Sequence, residues 1–382
     1  MQTILTRRAA LRLLGAAGAF LPAQMVLAAP SAPEDPAGPR LVVVMLRGAL
    51  DGLAAVPARG DPAWTALRTD EDAVNPALAL DTTFSMHPAL ANLHRWYSQK
   101  DLLVVHATAS PYRERSHFDA QQLLESGGER PFVLSTGWLG RALQASGKPA
   151  IAISAALPLA LRGADGASTW TPDRRRPVEQ DLLARVTQMY RGDAALATAF
   201  SQATGQKDMT MGADGGPGFA SLARQAGVFL ADPKGPRVAW LEAGGWDTHA
   251  NQHVRLGRLL SGLDEGLAAL REGLGGQWAR TSVLVMTEFG RSARFNGSGG
   301  TDHGTGGVAF LAGGSVAGGR VLTDWPGLAD AQLFEGRDLK PTIDLRSVMV
   351  PLVQRQFGLG QALVQSSILP GAVATRHVLW RV

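Results

Sequence analysis

A chain of 382 residues without any cysteine has neither disulfide bonds nor a thiolate metal site. Its 37 lysine and arginine residues are nearly balanced by 33 aspartate and glutamate residues, so the net charge of +4 does not indicate a nucleic-acid-binding protein. The hydrophobic content of 45% is sufficient for one large domain or two smaller ones.

The N-terminus predicts an exported protein. Arg7 and Arg8 precede a moderately apolar run that ends in small residues near Ala28, which is typical of a twin-arginine signal peptide. The run is too short and too rich in alanine and glycine for a membrane span, which needs about 20 apolar residues. We therefore expect the twin-arginine export machinery to recognise residues 1–28, no stable membrane span after processing, and a periplasmic or secreted mature protein. An uncleaved N-terminal anchor is the alternative.

Runs of apolar and β-branched residues predict strands that alternate with helices. The predicted strands comprise residues 41–46, 102–105, 150–153, 237–241, 281–286 and 308–311. The predicted helices comprise residues 88–97, 118–125, 180–190, 254–274 and 344–357. This alternation favours an α/β fold with a mostly parallel central sheet and helices on both faces. Residues 29–40 are then a linker, residues 41–382 form the α/β domain, and roughly residues 150–235 form a cap or an insertion in it.

Four loops that carry acidic residues or histidines follow the predicted strands, three of them directly and the fourth shortly after the third. In an open α/β sheet, ligands bind at the carboxyl ends of the strands, where side chains distant in sequence can converge. Carboxylate and imidazole groups are ligands of zinc, manganese, magnesium and calcium ions. We therefore predict a site for one or two divalent metal ions, formed by Asp51, Asp247, His249, Glu288 and His303.

Two of the carboxylates have an alternative interpretation. Asp51 lies beside Gly52 in a tight turn and could accept hydrogen bonds within that turn. Glu288 follows a strongly apolar strand, so its charge needs a partner. A metal ion is one candidate partner and Arg291 is the other.

The histidine assignments also leave alternatives. His253 is a second candidate ligand near the start of a predicted helix, and we rank it below His249. We favour His303 as a ligand and expect Asp302 to orient its imidazole ring rather than to bind the ion.

A nucleophile is predicted at the start of the helix at residues 118–125. Ser116 would lie at its N-terminus, where exposed N–H groups and the helix dipole favour an anion. Arg113 and Arg115 could bind the same anion, and His117 could act as a general acid or base. The alternative is that Ser116 only caps its helix and that His117 is structural.

Five motifs carry these candidate residues. They are Gly-Ala-Leu-Asp-Gly at residues 48–52, Arg-Ser-His-Phe-Asp-Ala-Gln at 115–121, Gly-Trp-Asp-Thr-His at 245–249, Thr-Glu-Phe-Gly-Arg at 287–291 and Thr-Asp-His-Gly at 301–304. Together they resemble the DUF1501 family of exported bacterial proteins, which is related to the alkaline phosphatase and sulfatase-like superfamily. The resemblance extends over most of the mature chain and implies an alkaline phosphatase-like fold.

The resemblance also implies a division of the ligands between two metal ions at the ends of parallel strands. The two sets would be Asp51, Glu288 and Ser116 for one ion, and Asp247, His249 and His303 for the other. The superfamily often has Asp-His where this chain has Glu288 and Phe289, so an apolar ring replaces one imidazole. This departure is compatible with a single ion, a different metal preference or a loss of hydrolytic activity.

These features predict an exported metal-dependent hydrolase that acts on an anionic phosphate or sulfate ester, either a small molecule or part of a polymer. The alternative is a non-catalytic exported module that retains the fold and serves in assembly or in binding a surface polymer. Phe289 in place of an imidazole favours the module, whereas Ser116 among Arg113, Arg115 and His117 favours the enzyme. An oxidoreductase is a third interpretation, but the sequence has no cysteine ligands and no glycine-rich dinucleotide turn after its first predicted strand.

Overall fold

The computed structural model describes residues 38–68, 77–172 and 218–381. The predicted signal peptide, most of the predicted linker and the predicted helix at residues 180–190 lie outside these ranges. So does the larger part of the segment predicted to form a cap or an insertion.

A central sheet of nine strands organises the described part of the chain. The strands of the structure are β1 (Arg40–Leu46), β2 (Leu78–Ala79), β3 (Ser85–Met86), β4 (Leu102–Ala109), β5 (Ala150–Ala152), β6 (Ala167–Thr169), β7 (Val238–Ala243), β8 (Thr281–Thr287), β9 (Gly307–Ala312), β10 (Arg320–Leu322) and β11 (Ile343–Asp344). The order in the central sheet is β10-β4-β9-β8-β1-β7-β5-β6, and β11 also pairs with β4. Strands β2 and β3 form a separate antiparallel pair.

Strand β1 lies at the centre of the sheet, parallel to both of its neighbours. Val43 is opposite Trp240 of β7 on one side and Leu284 of β8 on the other. Strands β5, β6, β10 and β11 are also parallel to their partners. Strand β9 is antiparallel to both β4 and β8. Because β9 is antiparallel to β8, it begins at the edge where β8 ends.

Eight α-helices surround the sheet in the described ranges. They are α1 (Gly52–Ala55), α2 (Ala91–Ser98), α3 (His117–Ser126), α4 (Trp138–Ser146), α5 (Phe219–Ala231), α6 (Gln252–Leu274), α7 (Leu345–Phe357) and α8 (Gln361–Leu363). A π-helix, Val364–Ile368, continues from α8.

Alternate residues of the strands divide the core into two layers. Val42 and Val44 of β1 belong to the layer that contains α2, α5 and α6. Val43 and Met45 belong to the opposite layer, which contains α3, α4 and α7. A strand covered on both faces is apolar along most of its length, as β1 is from Leu41 to Leu46. The prediction of a mostly parallel sheet with helices on both faces is confirmed.

Within residues 38–68, 77–172 and 218–381, no helix combines the length and the apolar character needed to cross a membrane.

Candidate metal centre

Three loops bring histidine and aspartate side chains together at the carboxyl edge of the parallel strands. His117 begins α3 after β4, Asp247 and His249 follow β7, and His303 lies in the loop between β8 and β9. Strands β4, β7 and β8 all end at this edge, so side chains as much as 186 residues apart come into contact.

The polar atoms of these four side chains point toward one another. The Nε2 atom of His303 lies 2.9 Å from Nε2 of His249 and 3.1 Å from Nε2 of His117. Oδ1 of Asp247 lies 2.9 Å from Nε2 of His249 and 3.3 Å from Nε2 of His303. The side chains are between 23% and 45% exposed, so this cluster is open to solvent. We call these four residues the His–Asp cluster.

The opposite nitrogen of each imidazole has its own hydrogen-bond acceptor. Nδ1 of His117 lies 2.7 Å from Oε1 of Glu288. Nδ1 of His303 lies 3.1 Å from the backbone oxygen of Arg115, and Nδ1 of His249 lies 3.3 Å from Oδ1 of Asp302. A ring that donates from Nδ1 in its neutral form presents a lone pair at Nε2. All three rings are therefore oriented to present Nε2 lone pairs to the same point.

This arrangement fits a divalent metal ion. Zinc-to-nitrogen distances of about 2.0–2.1 Å place neighbouring ligands of a tetrahedral ion about 3.3 Å apart, which is close to the separations in the His–Asp cluster. The ligand atoms of His117, Asp247 and His303 all lie within 4.8 Å of one another. Converging lone pairs repel one another, and a shared cation removes that repulsion.

Electrostatic interactions among the rings also oppose full protonation of the His–Asp cluster. The hydrogen bond to Glu288 raises the pKa of His117. Burial and the neighbouring His117 lower the pKa of His303. The cluster therefore favours a neutral His303, the protonation state that a metal ligand needs.

Glu288 lies behind His117 rather than in the His–Asp cluster. Its side chain is fully buried and accepts hydrogen bonds from the backbone N–H of Gly48 at 2.8 Å and from Nε2 of Gln121 at 2.9 Å, in addition to the bond from His117. Burial alone would raise its pKa, but the hydrogen bonds from His117 and Gln121 lower it below its ordinary value. Glu288, predicted to bind the ion directly, contacts the Nδ1 atom of His117 and so orients its imidazole ring.

Gln121 connects Glu288 to a larger charged network. Its Oε1 accepts a hydrogen bond from Arg47 at 2.7 Å, while its Nε2 donates to Glu288. Arg47 also forms ion pairs with Glu125 and Glu242 at 2.8 and 2.6 Å. The side-chain amide of Gln121 thus accepts from the guanidinium group of Arg47 and donates to the carboxylate of Glu288.

Asp247 is fixed by Arg291. The buried guanidinium group of Arg291 donates to Oδ1 of Asp247 at 2.5 Å and also binds Thr301. Burial raises the pKa of Asp247, but the hydrogen bond and charge of Arg291 lower it below its ordinary value, so the carboxylate form is favoured. Arg291, considered from the sequence as a partner for Glu288, pairs with a different carboxylate.

Asp51 lies apart from the His–Asp cluster, in a buried ion pair. Both of its oxygens accept from Arg68, at 3.0 to 3.2 Å, and Oδ2 also accepts from Nε2 of Gln252 at 2.7 Å. Its Oδ1 accepts from the backbone N–H of Ala54 and so caps α1. The turn interaction, which was the alternative interpretation of Asp51, is present in the structure.

The predicted nucleophile and its neighbouring arginine differ in their surroundings. Ser116 has an extended backbone at the N-cap of α3, and its side chain makes no capping hydrogen bond to the helix. The guanidinium group of Arg115 contacts Asp338 at 2.8 Å and Glu335 at 2.5 Å. Arg115 is therefore engaged by carboxylates, and it contributes its backbone oxygen to His303.

The remaining candidates make different contacts. The ring of His253 packs on Phe295, with ring centroids 5.1 Å apart. Asp302, predicted to orient His303, contacts His249 instead. The ring of Phe289 lies 4.8 Å from that of His117, so the residue that replaces an imidazole in the sequence forms an apolar wall of the cluster.

Sequence reasoning missed the placement of His117 among the candidate ligands and the contribution of Gln121. One signal was available, because residues four apart lie on the same face of a helix and His117 and Gln121 have that spacing. A histidine and an amide on the face of α3 that meets the sheet edge indicate a shared partner, which is Glu288.

The fold and the site together define the class: an α/β protein with a mostly parallel sheet, helices on both faces and a candidate metal centre at the carboxyl edge of its strands. The sequence matches the family described as "Protein of unknown function (DUF1501)" over residues 104–368, more than half of the chain. The chain belongs to the DUF1501 family, as its motifs predicted.

Comparison with curated protein sequences gives no match. Similar solved structures include the C-terminal periplasmic domain of EcEptC from Escherichia coli in complex with Zn, at 10% identity and a TM-score of 0.39, covering 75% of this chain and 76% of that one. Ps i-CgsB is similar at 12% identity and a TM-score of 0.44, covering 88% and 75%. BT1596, a 2-O GAG sulfatase, is similar at 12% identity and a TM-score of 0.40, covering 83% and 71%.

Proposed function

We propose that this protein is a metal-dependent hydrolase of a phosphate or sulfate ester and that His117, Asp247, His249 and His303 hold its metal ion. The observation that carries the proposal is the convergence of three Nε2 atoms and one carboxylate, with each Nδ1 atom held by an acceptor. The class of ester follows from the resemblance of the motifs to the alkaline phosphatase and sulfatase-like superfamily.

The chemistry divides between the ion and the protein. A bound divalent ion supplies positive charge that polarises an ester oxygen and lowers the pKa of a nearby hydroxyl group. Glu288 holds the proton on Nδ1 of His117 and so keeps its Nε2 atom available. Arg291 keeps Asp247 ionised and fixed in orientation. The partly exposed His–Asp cluster leaves room for a substrate to approach.

Ser116 is our candidate nucleophile. It directly precedes His117, and its hydroxyl group is not used to cap α3. Attack of its Oγ on phosphorus or sulfur would form a new ester bond to Ser116 and break the substrate's P–O or S–O bond. The alcohol would leave with the hydroxyl proton, and water would then release the anion from Ser116. Direct attack by water is the competing mechanism, in which Ser116 would be dispensable.

A non-catalytic binding module is the second candidate function. It is favoured by the engagement of Arg115 with Asp338 and Glu335, because an arginine held by carboxylates is not free to bind an anionic substrate. Such a module would keep the metal ion but would hydrolyse none of the esters tested.

We further propose that the twin-arginine route exports the protein and that cleavage after Ala28 releases it to the periplasm or the medium. The proposal is supported by Arg7, Arg8 and the small residues that end the apolar run. Mass spectrometry of the protein purified after export would give its N-terminus, and a mature protein that still begins at Met1 would count against cleavage.

The decisive experiment compares metal content and ester hydrolysis in the same exported samples. We expect stoichiometric metal in the wild type, its loss in His249→Ala and His303→Ala, and its retention in His377→Ala, which changes an exposed histidine elsewhere. Ser116→Ala should keep the metal and lose hydrolysis of 4-nitrophenyl phosphate or sulfate.

Each other outcome has a definite meaning. Full metal content in His303→Ala would exclude the assigned site. Metal without hydrolysis of either ester in the wild type would favour the binding module. Undiminished hydrolysis by Ser116→Ala would assign the attack to water.

A further inference from the structure

Three exposed apolar side chains lie on the helix that carries His117 or in the loop that follows that helix. Phe118 is 85% exposed, Phe132 is 70% exposed and Val133 is 69% exposed. Among the exposed large hydrophobic side chains of residues 38–68, 77–172 and 218–381, the two phenylalanines are the only aromatic ones. Leaving large apolar side chains in water forgoes the stabilisation that burial would give, so exposed aromatic rings on neighbouring segments indicate a binding function. We call these three residues the phenylalanine surface.

The phenylalanine surface is attached to the helix that carries His117. Phe118 directly follows His117 in the first turn of α3, and Gln122 lies one turn later on the same face as Phe118. Oε1 of Gln122 accepts from the backbone N–H of Phe132 at 2.6 Å, and its Nε2 donates to the backbone oxygen of Leu134 at 3.0 Å. One side chain of α3 therefore holds the loop that presents the second phenylalanine.

The backbone of Phe132 adds an independent observation. Its φ of +62° lies in the left-handed region, which is unfavourable for a bulky residue. Such conformations persist where the surrounding structure enforces them, and they concentrate at functional sites. Here the enforced conformation leaves an aromatic ring exposed, so the loop carries two unfavourable features that packing within the described chain does not explain.

We propose that Phe118 and Phe132 bind an apolar group of the substrate, so that the ester cleaved at the His–Asp cluster carries an aryl or alkyl substituent. This inference rests on the proposed hydrolase function. The anionic end of the substrate would lie at the cluster and at Ser116, and the apolar group would extend over the first turn of α3. Ser116, His117 and Phe118 are consecutive at the start of α3, and Gln122 of the same helix holds the backbone of Phe132, so α3 connects the cluster to both phenylalanines.

The test uses pairs of non-hydrolysable anions that share a head group and differ in the substituent. Titration calorimetry of the metal-loaded protein would compare phenylphosphonate with methylphosphonate, and benzenesulfonate with methanesulfonate. We expect the wild type to bind the phenyl compound of one pair about tenfold more tightly, as burial of a ring implies. The double variant Phe118→Ala/Phe132→Ala should lose this preference and keep its affinity for the methyl compound. Val373→Ala, which shortens another exposed side chain, should retain the preference.

The outcomes separate this inference from the function on which it rests. An undiminished phenyl preference in the double variant, at an unchanged melting temperature, would overturn the inference and leave the hydrolase proposal intact. Failure of the metal-loaded wild type to bind any of the four anions would overturn both. Sedimentation of the wild type but not the double variant with phosphatidylcholine vesicles, without a phenyl preference, would assign the phenylalanine surface to lipid and overturn the inference.

Discussion

At the scale of single residues, the ion pair between Asp51 and Arg68 shows how strongly a buried charge depends on its partner. The two side chains are 1% and 0% exposed, and Arg68 also donates to the backbone oxygens of Ser292 and Ala293. Asp51 thereby connects the turn after β1 to the loop after β8. We expect Asp51→Asn to destabilise the protein by about 3–5 kcal/mol, because the variant removes one member of a buried ion pair.

The pH dependence of this effect has a definite sign. Burial raises the pKa of Asp51, but the charge and hydrogen bonds of Arg68 lower it below its ordinary value of 3.8. A carboxyl group with a lowered folded-state pKa stabilises the protein above its unfolded pKa and loses that contribution as the pH falls. Urea unfolding should therefore show a large difference between the wild type and Asp51→Asn at neutral pH and a smaller one below about pH 4. Asp165→Asn, at an exposed position, should show little effect at either pH.

A substitution of Gln121 would test whether residues that hold Glu288 influence metal binding through His117. Gln121→Leu would remove one donor to Glu288 and one acceptor for Arg47, and so would hold the carboxylate that orients His117 less firmly. Groups that orient metal ligands typically change metal affinity by 10- to 100-fold, so we expect the metal dissociation constant to rise about 10- to 100-fold. Competition with a chromophoric chelator would measure it.

The control for Gln121→Leu is Gln144→Leu, an exposed position on α4. Gln144→Leu should leave the metal affinity unchanged. A loss of thermal stability in Gln121→Leu without any change in metal affinity would show that Gln121 supports only the fold.

The sequence predicted which loops carry the candidate site residues, but it did not predict which partners those residues have. All five motifs mark segments that the structure places around the sheet edge, because strand ends can be read from apolar runs. The partner of Asp51 was not predictable, since nothing in the local sequence links it to Arg68. The same holds for Glu288 and His117, whose contact spans 171 residues and depends on how α3 packs.

At the scale of elements, α5 and α6 approach each other closely at Gly227. A Cβ atom on this residue would lie 2.5 Å from the backbone oxygen of Leu270 and 2.8 Å from the backbone nitrogen of Leu274. Because backbone atoms cannot move aside without displacing a helix, we expect Gly227→Ala to destabilise the protein by about 1–3 kcal/mol. A lower melting temperature would report it.

A second glycine of the same helix pair gives the opposite expectation. Gly257 of α6 has no atom within 4 Å of a Cβ atom built on it. Gly257→Ala should stabilise the protein by about 0.5–1 kcal/mol, because alanine has the higher helix propensity. Equal effects of the two substitutions would contradict the close approach of the helices at Gly227.

The elements themselves were predicted well where they are long and apolar. The predicted strands at residues 41–46, 281–286 and 308–311 match β1, β8 and β9 to within a residue at each end. The directions of the strands were harder to predict, because hydrophobic periodicity indicates which residues are buried and not which way a strand runs. Strand β9, for example, is antiparallel to β8. Strands β6, β10 and β11 have two or three residues each, too few to establish a pattern.

At the scale of the whole molecule, the His–Asp cluster joins segments that follow three different strands. An ion held by them would connect parts of the chain up to 186 residues apart and would bind only the folded state. We expect removal of metal with a chelator to lower the melting temperature of the wild type, and restoration of the metal to reverse the change. His303→Ala should melt at the same temperature with and without the chelator, and a chelator effect of wild-type size in this variant would show that the stabilising ion lies elsewhere.

The position of β1 has a consequence for synthesis of the chain. This strand is the first element of the sheet to leave the ribosome, yet its partners begin at Val238 and Thr281. Until those residues emerge, the apolar segment at residues 41–46 lacks its strand partners, a state prone to aggregation. We therefore expect the nascent protein to need protection of this segment through most of translation, because β1 is paired on both sides only once β8 has been made.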